Sequence, residues 1–422
     1  MTVRNISRYN LPAPWMRYDM AAIITPLVEA KTAAGILGEM PHLRQWIEQV
    51  HEEQLRLEAV GTSRIEGAEF TEQEQEQALA RVHEPDLTVD ATWSPLAQVG
   101  PLTRSQRQLR AADATYRWLR GQPADRPVTD EFILEIHRRI VTGCDDDHCE
   151  PGALRPPGSN VTFGSPRCRG VEGGEDCRLA FRNFCHAIAG EFRRHDAILQ
   201  ALASHYQIGA MHPFEDGNGR TARALEAFML RRAGVNDLVM VSLSNYYYEH
   251  QDEYRASLQE CRQREHDLTP FMQFALGAVA DRCKAVAEVI TYNQRQILFR
   301  QFARSLFGQL RSSRRRVIGE RQLHILDALM DGGPARLFDL IDHPPSYYSG
   351  LRFPERAVVR DLLGLMHLQA ISVRGDEIVV NLDWPQQFSE SVLLDQMERM
   401  PTAASASHPA MAELSELLRR RR

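Results

Sequence analysis

One short stretch concentrates most of the chemistry in this sequence, and the rest of the chain is organised around it. It reads His212-Pro213-Phe214-Glu215-Asp216-Gly217-Asn218-Gly219-Arg220-Thr221-Ala222-Arg223. Its glycines allow positive φ and a close backbone approach, so successive N–H groups can converge on an anion where a helix begins near Arg220. We therefore expect this turn to hold phosphate groups.

The side chains around the turn suit a ligand with several phosphates. Asp216 stands beside the expected anion nest, and a carboxylate next to phosphate oxygens is a common way to hold Mg²⁺. Arg220 and Arg223 are three residues apart on one helix face, and both can reach a polyphosphate through bidentate hydrogen bonds. His212, at the other end of the turn, can take a proton from an attacking hydroxyl.

The alternative interpretation is a solvated turn between two helices, with the arginines on a solvent-exposed helix face and His212 as a helix cap. So many charged and special-backbone residues at fixed spacing rarely coincide, which favours the phosphate site. The Walker pattern G-x-x-x-x-G-K-[ST] is absent from the sequence, so the phosphates would be held without its lysine.

The stretch resembles the signature of the Fic (filamentation induced by cAMP) family, H-x-F-x-[DE]-G-N-G-R-x-x-R, and matches every specified position. The resemblance implies a mainly α fold, a Fic-type helical bundle with a β-hairpin flap. It also implies transfer of AMP from ATP to a Ser, Thr or Tyr hydroxyl of a protein, with release of pyrophosphate. Relatives that act as kinases carry a lysine where Gly219 stands, so Gly219 favours nucleotidyl transfer.

The resemblance assigns a role to each matching residue. His212 would be the general base, Asp216 the Mg²⁺ ligand and Arg223 the contact to the γ-phosphate. The remaining phosphate-binding residues would be the nest and a clamp, namely Gly217, Asn218, Gly219 and Arg220. ATP would be the co-substrate, Mg²⁺ the cofactor, and another protein or the chain itself the target.

A second motif lies far upstream, at Thr62-Ser63-Arg64-Ile65-Glu66-Gly67. It resembles the [ST]-x-x-x-E-[GN] inhibitory motif of the Fic family. A carboxylate placed over the anion nest would pair with Arg223 and deny that arginine to the γ-phosphate, so ATP would bind in a poor orientation. The alternative is an ordinary Glu66 at a helix end, with Gly67 as the C-cap.

Composition sets wider bounds on the protein. The chain has 422 residues, of which 43% are hydrophobic, so it can bury a large core and should form two or three domains. Its net charge of −6 means that any basic surface is local. We see no apolar run of 18 residues and no secretory signal at the N-terminus, and we therefore expect a cytoplasmic protein with no membrane association.

Shifts in composition and periodicity divide the chain into six segments. They are an N-terminal helical region with the inhibitory motif (1–85), a connector (86–104), the Fic catalytic core (105–300), a basic hinge (301–319), a winged-helix-like α+β domain (320–385) and a tail (386–422).

Within the core, the irregular stretch 144–177 holds the expected flap. Ser159–Phe163 is a candidate strand that follows the Pro151–Arg155 element, and a disordered loop is the alternative. Four cysteines fall here, and we expect them to be thiols without disulfides; a Zn²⁺ site that also uses His148 is the alternative. These cysteines are Cys144, Cys149, Cys168 and Cys177.

Three long helices are expected around the signature: Phe181–Ala210, Ser244–Leu258 and Leu268–Phe307. The second carries Asn245 and several tyrosines, and it resembles the family segment that forms a wall of the adenine pocket. We expect His205 to be a core residue, whose further role is at most to position the loop by hydrogen bonding. We expect His137 to be a buried histidine whose hydrogen bonds are satisfied.

The segment 320–382 reads as three helices followed by two short strands around Arg374-Gly375-Asp376, an order that resembles a winged helix. Four of its arginines could contact DNA phosphates, and dimerisation or protein docking is the alternative. These arginines are Arg352, Arg356, Arg360 and Arg374. Two functions remain open: a self-inhibited protein adenylyltransferase, or a DNA-binding regulator that uses a Fic core as a nucleotide sensor. The target protein and the oligomeric state, including a homodimer, stay undetermined by the sequence.

Overall fold

A computed structural model describes residues 9–41, 43–79, 102–144, 148–164, 166–235 and 239–400. The connector expected at 86–104 falls outside these residues except for its last three positions, and so does the tail beyond residue 400. The chain divides into two compact units, Met1–Ile290 and Thr291–Arg422, each with its own hydrophobic core. The boundary lies ten residues before the end that we expected for the catalytic core at residue 300.

The first unit is built almost entirely of helices. They are α1 (Met20–Glu39), α2 (Arg44–Ile65), α3 (Glu72–Leu79), α4 (Arg104–Gly121), α5 (Asp130–Val141), α6 (Glu175–Ala189), α7 (Ala197–Met211), α8 (Asn218–Arg232), α9 (Leu243–Glu249), α10 (Gln251–Gln263) and α11 (Thr269–Gly308), whose last part belongs to the second unit. This confirms the expected mainly α fold.

Side chains at the helix starts explain several of these bounds. Thr103 and Gln106 form a reciprocal capping box at the start of α4. The Thr129 side chain accepts a hydrogen bond from Phe132 N at the start of α5, and Asp196 caps α7 in the same way. Each cap satisfies a backbone donor that the helix itself leaves unpaired.

Two helices that the sequence predicted as continuous are broken. The expected helix Phe181–Ala210 is interrupted at Gly190 and resumes after a short 3₁₀ turn. The second part begins as a new helix because the Asp196 side chain accepts a hydrogen bond from Ile198 N and caps it. The expected helix Ser244–Leu258 is split at His250, which is the C-cap of α9 and the N-cap of α10. The predictions were wrong here because periodicity shows which face is apolar but not where the axis changes direction.

The flap is a small antiparallel hairpin of β1 (Thr162–Phe163) and β2 (Cys168–Arg169). Thr162 pairs with Arg169, and Phe163 pairs with Cys168. Only the last two residues of the candidate strand Ser159–Phe163 are therefore extended. Elsewhere in this stretch the cysteines are buried, none of the seven in the chain forms a disulfide, and no group of three metal-binding side chains occurs in the described ranges.

At the centre of the unit, α7 and α8 pack side by side and support the loop between them. The second close packing joins α2 to α9 and α4. Gly61 permits the approach to α9, because a Cβ at this position would lie 2.5 Å from Asn245 N. The absence of that one carbon lets α2 bring its C-terminal end towards the loop.

Length and composition alone would allow α1 to cross a membrane, although we expected no apolar run of 18 residues. In the structure, Ile23, Leu27, Ala30 and Leu37 of this helix are buried in the core of the first unit. The absence of membrane association stays a prediction.

The second unit contains α12 (Ser313–Gly332), β3 (Ala335–Arg336), α13 (Leu337–Asp342), α14 (Pro354–His367), β4 (Ile371–Arg374), β5 (Glu377–Val380), α15 (Trp384–Gln387) and α16 (Glu390–Arg399). The strands form an antiparallel sheet in the order β3-β5-β4. The order of three helices and a two-stranded hairpin that we expected for 320–382 is present.

Two neighbouring segments differ from the expected organisation. Most of the basic hinge 301–319 is helical, because α11 continues to Gly308 and α12 begins at Ser313. The first part of the tail 386–422 forms α16, whose Leu393 and Met397 are buried in the core of the second unit. Apolar residues at helical spacing explain this helix, and we overlooked them.

Candidate active site

The loop between α7 and α8 has a specific backbone path. His212 ends α7 in the left-handed region at φ 54°, and Gly217 precedes α8 at φ 74°. The Asn218 side chain closes the loop, since its Oδ1 accepts from Phe214 N at 2.9 Å and its Nδ2 donates to Phe214 O at 2.9 Å. Gly219 does not share the positive φ that we expected, because it already lies in α8.

The start of α8 is open towards a ligand. Its N-cap, Gly217, has no side chain with which to cap the helix, and the positive end of the helix dipole at this first turn suits an anion. A Cβ on Gly217 would lie 2.5 Å from Val141 Cγ1, so both the backbone angle and the space require glycine here.

His212 is held in one tautomer. Its Nδ1 lies 3.0 Å from Gly209 O, and because a carbonyl only accepts, Nδ1 carries the proton and Nε2 keeps its lone pair. The ring of Phe163, from the flap, stacks on the imidazole with centroids 3.9 Å apart. Burial lowers the pKa of His212 to about 4, so the ring is neutral near pH 7.

Residues outside the signature hold the loop in place, and the sequence did not reveal their role. Arg155 is buried and donates from Nε to His212 O at 2.8 Å and from Nη1 to Ser159 O at 2.7 Å. Its Nη2 donates to Val171 O, and Val171 N donates to Met211 O at 2.9 Å. One buried guanidinium therefore links the base of the flap to the backbone of the loop between α7 and α8.

His137 supports the other side of the loop. Its Nδ1 accepts from Gly152 N at 2.9 Å, and its Nε2 donates to Asp216 O at 3.1 Å. Its ring stacks on Phe214 with centroids 3.7 Å apart. The expectation of a satisfied buried histidine is confirmed, and its contact with the Asp216 carbonyl is an addition that no local sequence signal indicated.

Asp216 presents its carboxylate to the cavity. Oδ1 accepts from Gly217 N at 2.7 Å, and Oδ2 lies 3.5 Å from Arg220 Nη2 and 3.9 Å from Arg104 Nη2. The side chain is 38% exposed. A single hard oxygen donor of this kind suits a cation such as Mg²⁺ that takes its other ligands from phosphates and water, and it does not suit a closed protein cage.

The two signature arginines occupy different positions. Arg223 lines the cavity next to the start of α8. Arg220 is buried, with its guanidinium between Asp216 and the Cys144 thiol, and it is not among the residues that line the cavity. Arg223 is therefore placed where it can contact a ligand in the cavity. The clamp role of Arg220 stays a prediction.

Glu66 meets Arg223 at the end of α2. Its Oε1 accepts from Arg223 Nη2 at 2.6 Å, while Thr62 accepts from Arg223 Nε through its hydroxyl at 2.8 Å and from Nη2 through its carbonyl at 3.3 Å. Burial raises the pKa of Glu66, but the charges of Arg223 and Arg220 outweigh it and leave that pKa below the usual range. The same residues end the helix, since Gly67 has φ 85° and donates to Arg64 O. The motif is thus both a helix end and an ion pair.

Gly219 makes room for this pair. A Cβ on Gly219 would collide with Glu66 Oε1 and lie 3.1 Å from Arg223 Nη1. The glycine therefore serves the Glu66 carboxylate as well as the backbone of the expected nest.

These groups surround one cavity of 270 Å³. His212, Asp216, Gly219 and Arg223 line one end. The opposite wall is a face of α10, whose side chains recur at helical spacing. They are Tyr254, Arg255, Leu258, Gln259 and Arg262. Of the tyrosines that the sequence offered for the adenine pocket, Tyr254 is among the lining residues.

Comparison with known proteins agrees with this geometry. A sequence profile of the Fic/DOC family matches residues 127–230. The protein adenylyltransferase Fic of Aedes aegypti is 28% identical over 183 residues, which are 42% of this chain and 34% of the relative. The chain therefore spans about a third of the length of this curated relative.

Solved structures show the same fold. A Fic family protein from Desulfovibrio desulfuricans matches with a TM-score of 0.52 and 20% identity, over 80% of this chain and 97% of that one. A Fic-1 fragment from C. elegans matches with a TM-score of 0.51 and 20% identity, over 65% and 74% of the two chains. Residues 127–230, which include His212, the loop and most of α8, therefore match the Fic/DOC family.

Proposed function

We propose that the protein is a self-inhibited protein adenylyltransferase, which transfers AMP from ATP to a Ser, Thr or Tyr hydroxyl and releases pyrophosphate. One observation carries the proposal: the unprotonated Nε2 of His212, the open start of α8 and the guanidinium of Arg223 border one cavity. The relative named protein adenylyltransferase Fic supports this reaction class.

The chemistry follows from these positions. His212 Nε2 takes the proton of the target hydroxyl as its oxygen attacks the α-phosphorus, and the bond from that phosphorus to the β-phosphate oxygen breaks to release pyrophosphate. The first-turn N–H groups of α8 and Arg223 hold the phosphates in line for attack. Asp216 would hold Mg²⁺, which when bound neutralises charge on the phosphate oxygens.

Self-inhibition follows from the ion pair at the end of α2. Arg223 is 1% exposed and already engaged by Glu66 and Thr62, so the γ-phosphate would have to compete for it. ATP bound without this contact lacks the alignment that attack on the α-phosphorus requires. Release of Glu66 restores the guanidinium to the nucleotide.

Incubation with ATP labelled on the α-phosphate tests the proposal. The Glu66→Gly chain should attach label covalently to itself or to a protein in a lysate, and the γ-phosphate should leave with pyrophosphate. His212→Ala in the same background should abolish transfer and leave ATP binding nearly intact, because it removes the base and no phosphate contact. Label from the γ-phosphate on protein would instead identify a kinase, and no label with bound ATP would favour a nucleotide sensor.

A second candidate function, DNA binding by a winged-helix arrangement in residues 320–385, is favoured by one observation. Arg352 and Arg356 are exposed and flank the exposed ring of Phe353 at the start of α14, with guanidinium carbons 5.3 and 5.1 Å from its centre. Arg374 is exposed on the β4–β5 hairpin. Arg360 is unsuited to the phosphate contact that we expected, since it is bound to the buried Asp361.

Fluorescence anisotropy with a labelled duplex tests this candidate. Arg356→Glu should weaken binding and reduce its salt dependence, because one phosphate contact is lost. Arg399→Glu is the matched control, since Arg399 is also exposed but lies on α16 and pairs with Asp395. Equal effects of the two changes would show that overall charge and not this surface holds the duplex, and no binding by the unchanged chain would favour protein docking or dimerisation. A homodimer and a cytoplasmic location stay predictions.

A further inference from the structure

A row of buried polar side chains leads away from Nη1 of Arg223, whereas Glu66 contacts Nη2. Arg223 Nη1 lies 3.5 Å from Tyr254 Oη, and Tyr254 Oη lies 2.9 Å from His205 Nε2. His205 Nδ1 lies 2.9 Å from Glu226 Oε2. All four residues are buried, and Tyr254, His205 and Glu226 come from α10, α7 and α8 respectively.

The donors and acceptors in this row can be ordered without conflict. A guanidinium only donates, so Tyr254 Oη accepts from Arg223 and directs its own proton to His205 Nε2. His205 then carries its proton on Nδ1 and donates it to the Glu226 carboxylate, which only accepts when ionised. The other oxygen of Glu226 accepts from Tyr247 Oη at 2.9 Å. Each hydrogen-bonding group is used once, from the cation to the carboxylate.

The two sets of contacts to Arg223 differ in what happens when inhibition ends. Thr62 and Glu66 both belong to the end of α2, so displacement of that end removes both together. Tyr254 lies on α10, not on α2, and contacts Nη1 of Arg223. Without a remaining partner, a guanidinium that is 1% exposed would be a buried and unsatisfied cation, which is costly.

We propose that Tyr254, His205 and Glu226 form a positioning relay that holds the Arg223 guanidinium ready for the γ-phosphate after Glu66 is withdrawn. The proposal rests on the proposed function, because it takes Arg223 as the γ-phosphate contact. The Tyr254 contact is long in the resting protein, since Thr62 and Glu66 draw the guanidinium towards α2, and it shortens when they leave. Glu226 supplies the negative charge that Glu66 no longer provides.

The test compares binding of ATP and AMP to the full chain in the Glu66→Gly background by titration calorimetry. Tyr254→Phe removes only the hydroxyl and should weaken ATP binding about tenfold, which is the loss expected for one hydrogen bond to a charged group. The affinity for AMP should stay within about twofold. Tyr254 also lines the cavity. If it served only as part of the cavity wall, Tyr254→Phe would weaken the binding of ATP and AMP equally, and that result would overturn the proposal.

Tyr247→Phe is the matched control. Tyr247 is also a buried tyrosine and stacks on Tyr254, but its hydroxyl donates to Glu226 Oε1 and not to the oxygen that binds His205, so the ratio of ATP to AMP affinity should change less than in Tyr254→Phe. His205→Leu is a second variant; it can neither accept from Tyr254 nor donate to Glu226, so it should lower ATP affinity in the same selective way. An unchanged ratio in both Tyr254→Phe and His205→Leu contradicts the relay.

Two further measurements separate the relay from the proposed function. Arg223→Ala in the same background should also lose the preference for ATP over AMP; if it keeps that preference, the γ-phosphate assignment itself is wrong. In the chain that retains Glu66, Tyr254→Phe should change the ratio of ATP to AMP affinity less, because Glu66 and Thr62 already hold the guanidinium. An equal loss with and without Glu66 overturns the relay, since a general packing defect would act in both backgrounds.

Discussion

Glu66 Oε1 accepts a hydrogen bond of 2.6 Å from Arg223 Nη2, across a separation of 157 residues in the chain. The carboxylate is 33% exposed and the guanidinium is 1% exposed, so the pair can be opened from the Glu66 side while Arg223 stays in place. In the proposed function, regulation of the site depends on the position of the α2 end.

Removal of the carboxylate should activate the protein. Glu66→Gly frees Arg223, and we expect AMP transfer to rise by a factor on the order of 10², which corresponds to a few kcal/mol for a charged hydrogen bond. Initial rates with labelled ATP measure this. Arg223→Ala should not activate, and the double variant should stay as weak as Arg223→Ala. Equal rates in Glu66→Gly and wild type would show that the motif is only a helix end.

A change far from the ligand should have a weaker effect in the same direction. Gly61→Ala places a Cβ 2.5 Å from Asn245 N, so α2 must shift away from α9 and carry Thr62 and Glu66 with it. We expect severalfold higher transfer and a lower melting temperature. Gly35→Ala in α1 is the control, because nothing lies within 4 Å of its added Cβ and helix propensity favours alanine by about 1 kcal/mol. Activation by Gly35→Ala, or none by Gly61→Ala, contradicts the packing argument.

The pH dependence of transfer should lack the inflection of an ordinary histidine. Burial lowers the pKa of His212 to about 4, so the base stays neutral as pH falls through 6.5 and is lost only near 4. The nearby Glu66 raises this pKa, so Glu66→Gly lowers it further. We expect kcat/KM of that variant to be flat between about pH 5.5 and 8, with folding checked by circular dichroism. A half-maximal rate near pH 6.5 would show that His212 is solvated.

Loss of the Asp216 carboxylate should remove the dependence on metal. Asp216→Ala is expected to lose Mg²⁺-stimulated transfer by about 10²-fold or more, and chelation should reproduce this in Glu66→Gly. Glu215→Ala is the matched control, because Glu215 is the neighbouring carboxylate but is exposed and does not line the cavity. Transfer that persists in Asp216→Ala under chelation would exclude the assigned role.

Part of the site was evident from the sequence because its causes are local. The positive φ of Gly217 and the C-cap of Gly67 depend on residues within one turn. The position of His212 and Asp216 at one loop follows from adjacency in the chain. The mainly helical fold was therefore predictable, whereas the breaks at Gly190 and His250 depend on how each helix packs.

Tertiary structure alone decided which distant groups share the site. Arg155 reaches the backbone of His212, and Tyr254 connects His205 to Arg223, although no spacing in the sequence relates these residues. Arg220 and Arg223 look equivalent on a helical wheel, yet one is buried against Asp216 and the other faces the cavity. The physical reason is that periodicity determines the face of a helix, while the partner of a buried charge is set by which helices pack around it and by the cost of leaving that charge unsatisfied.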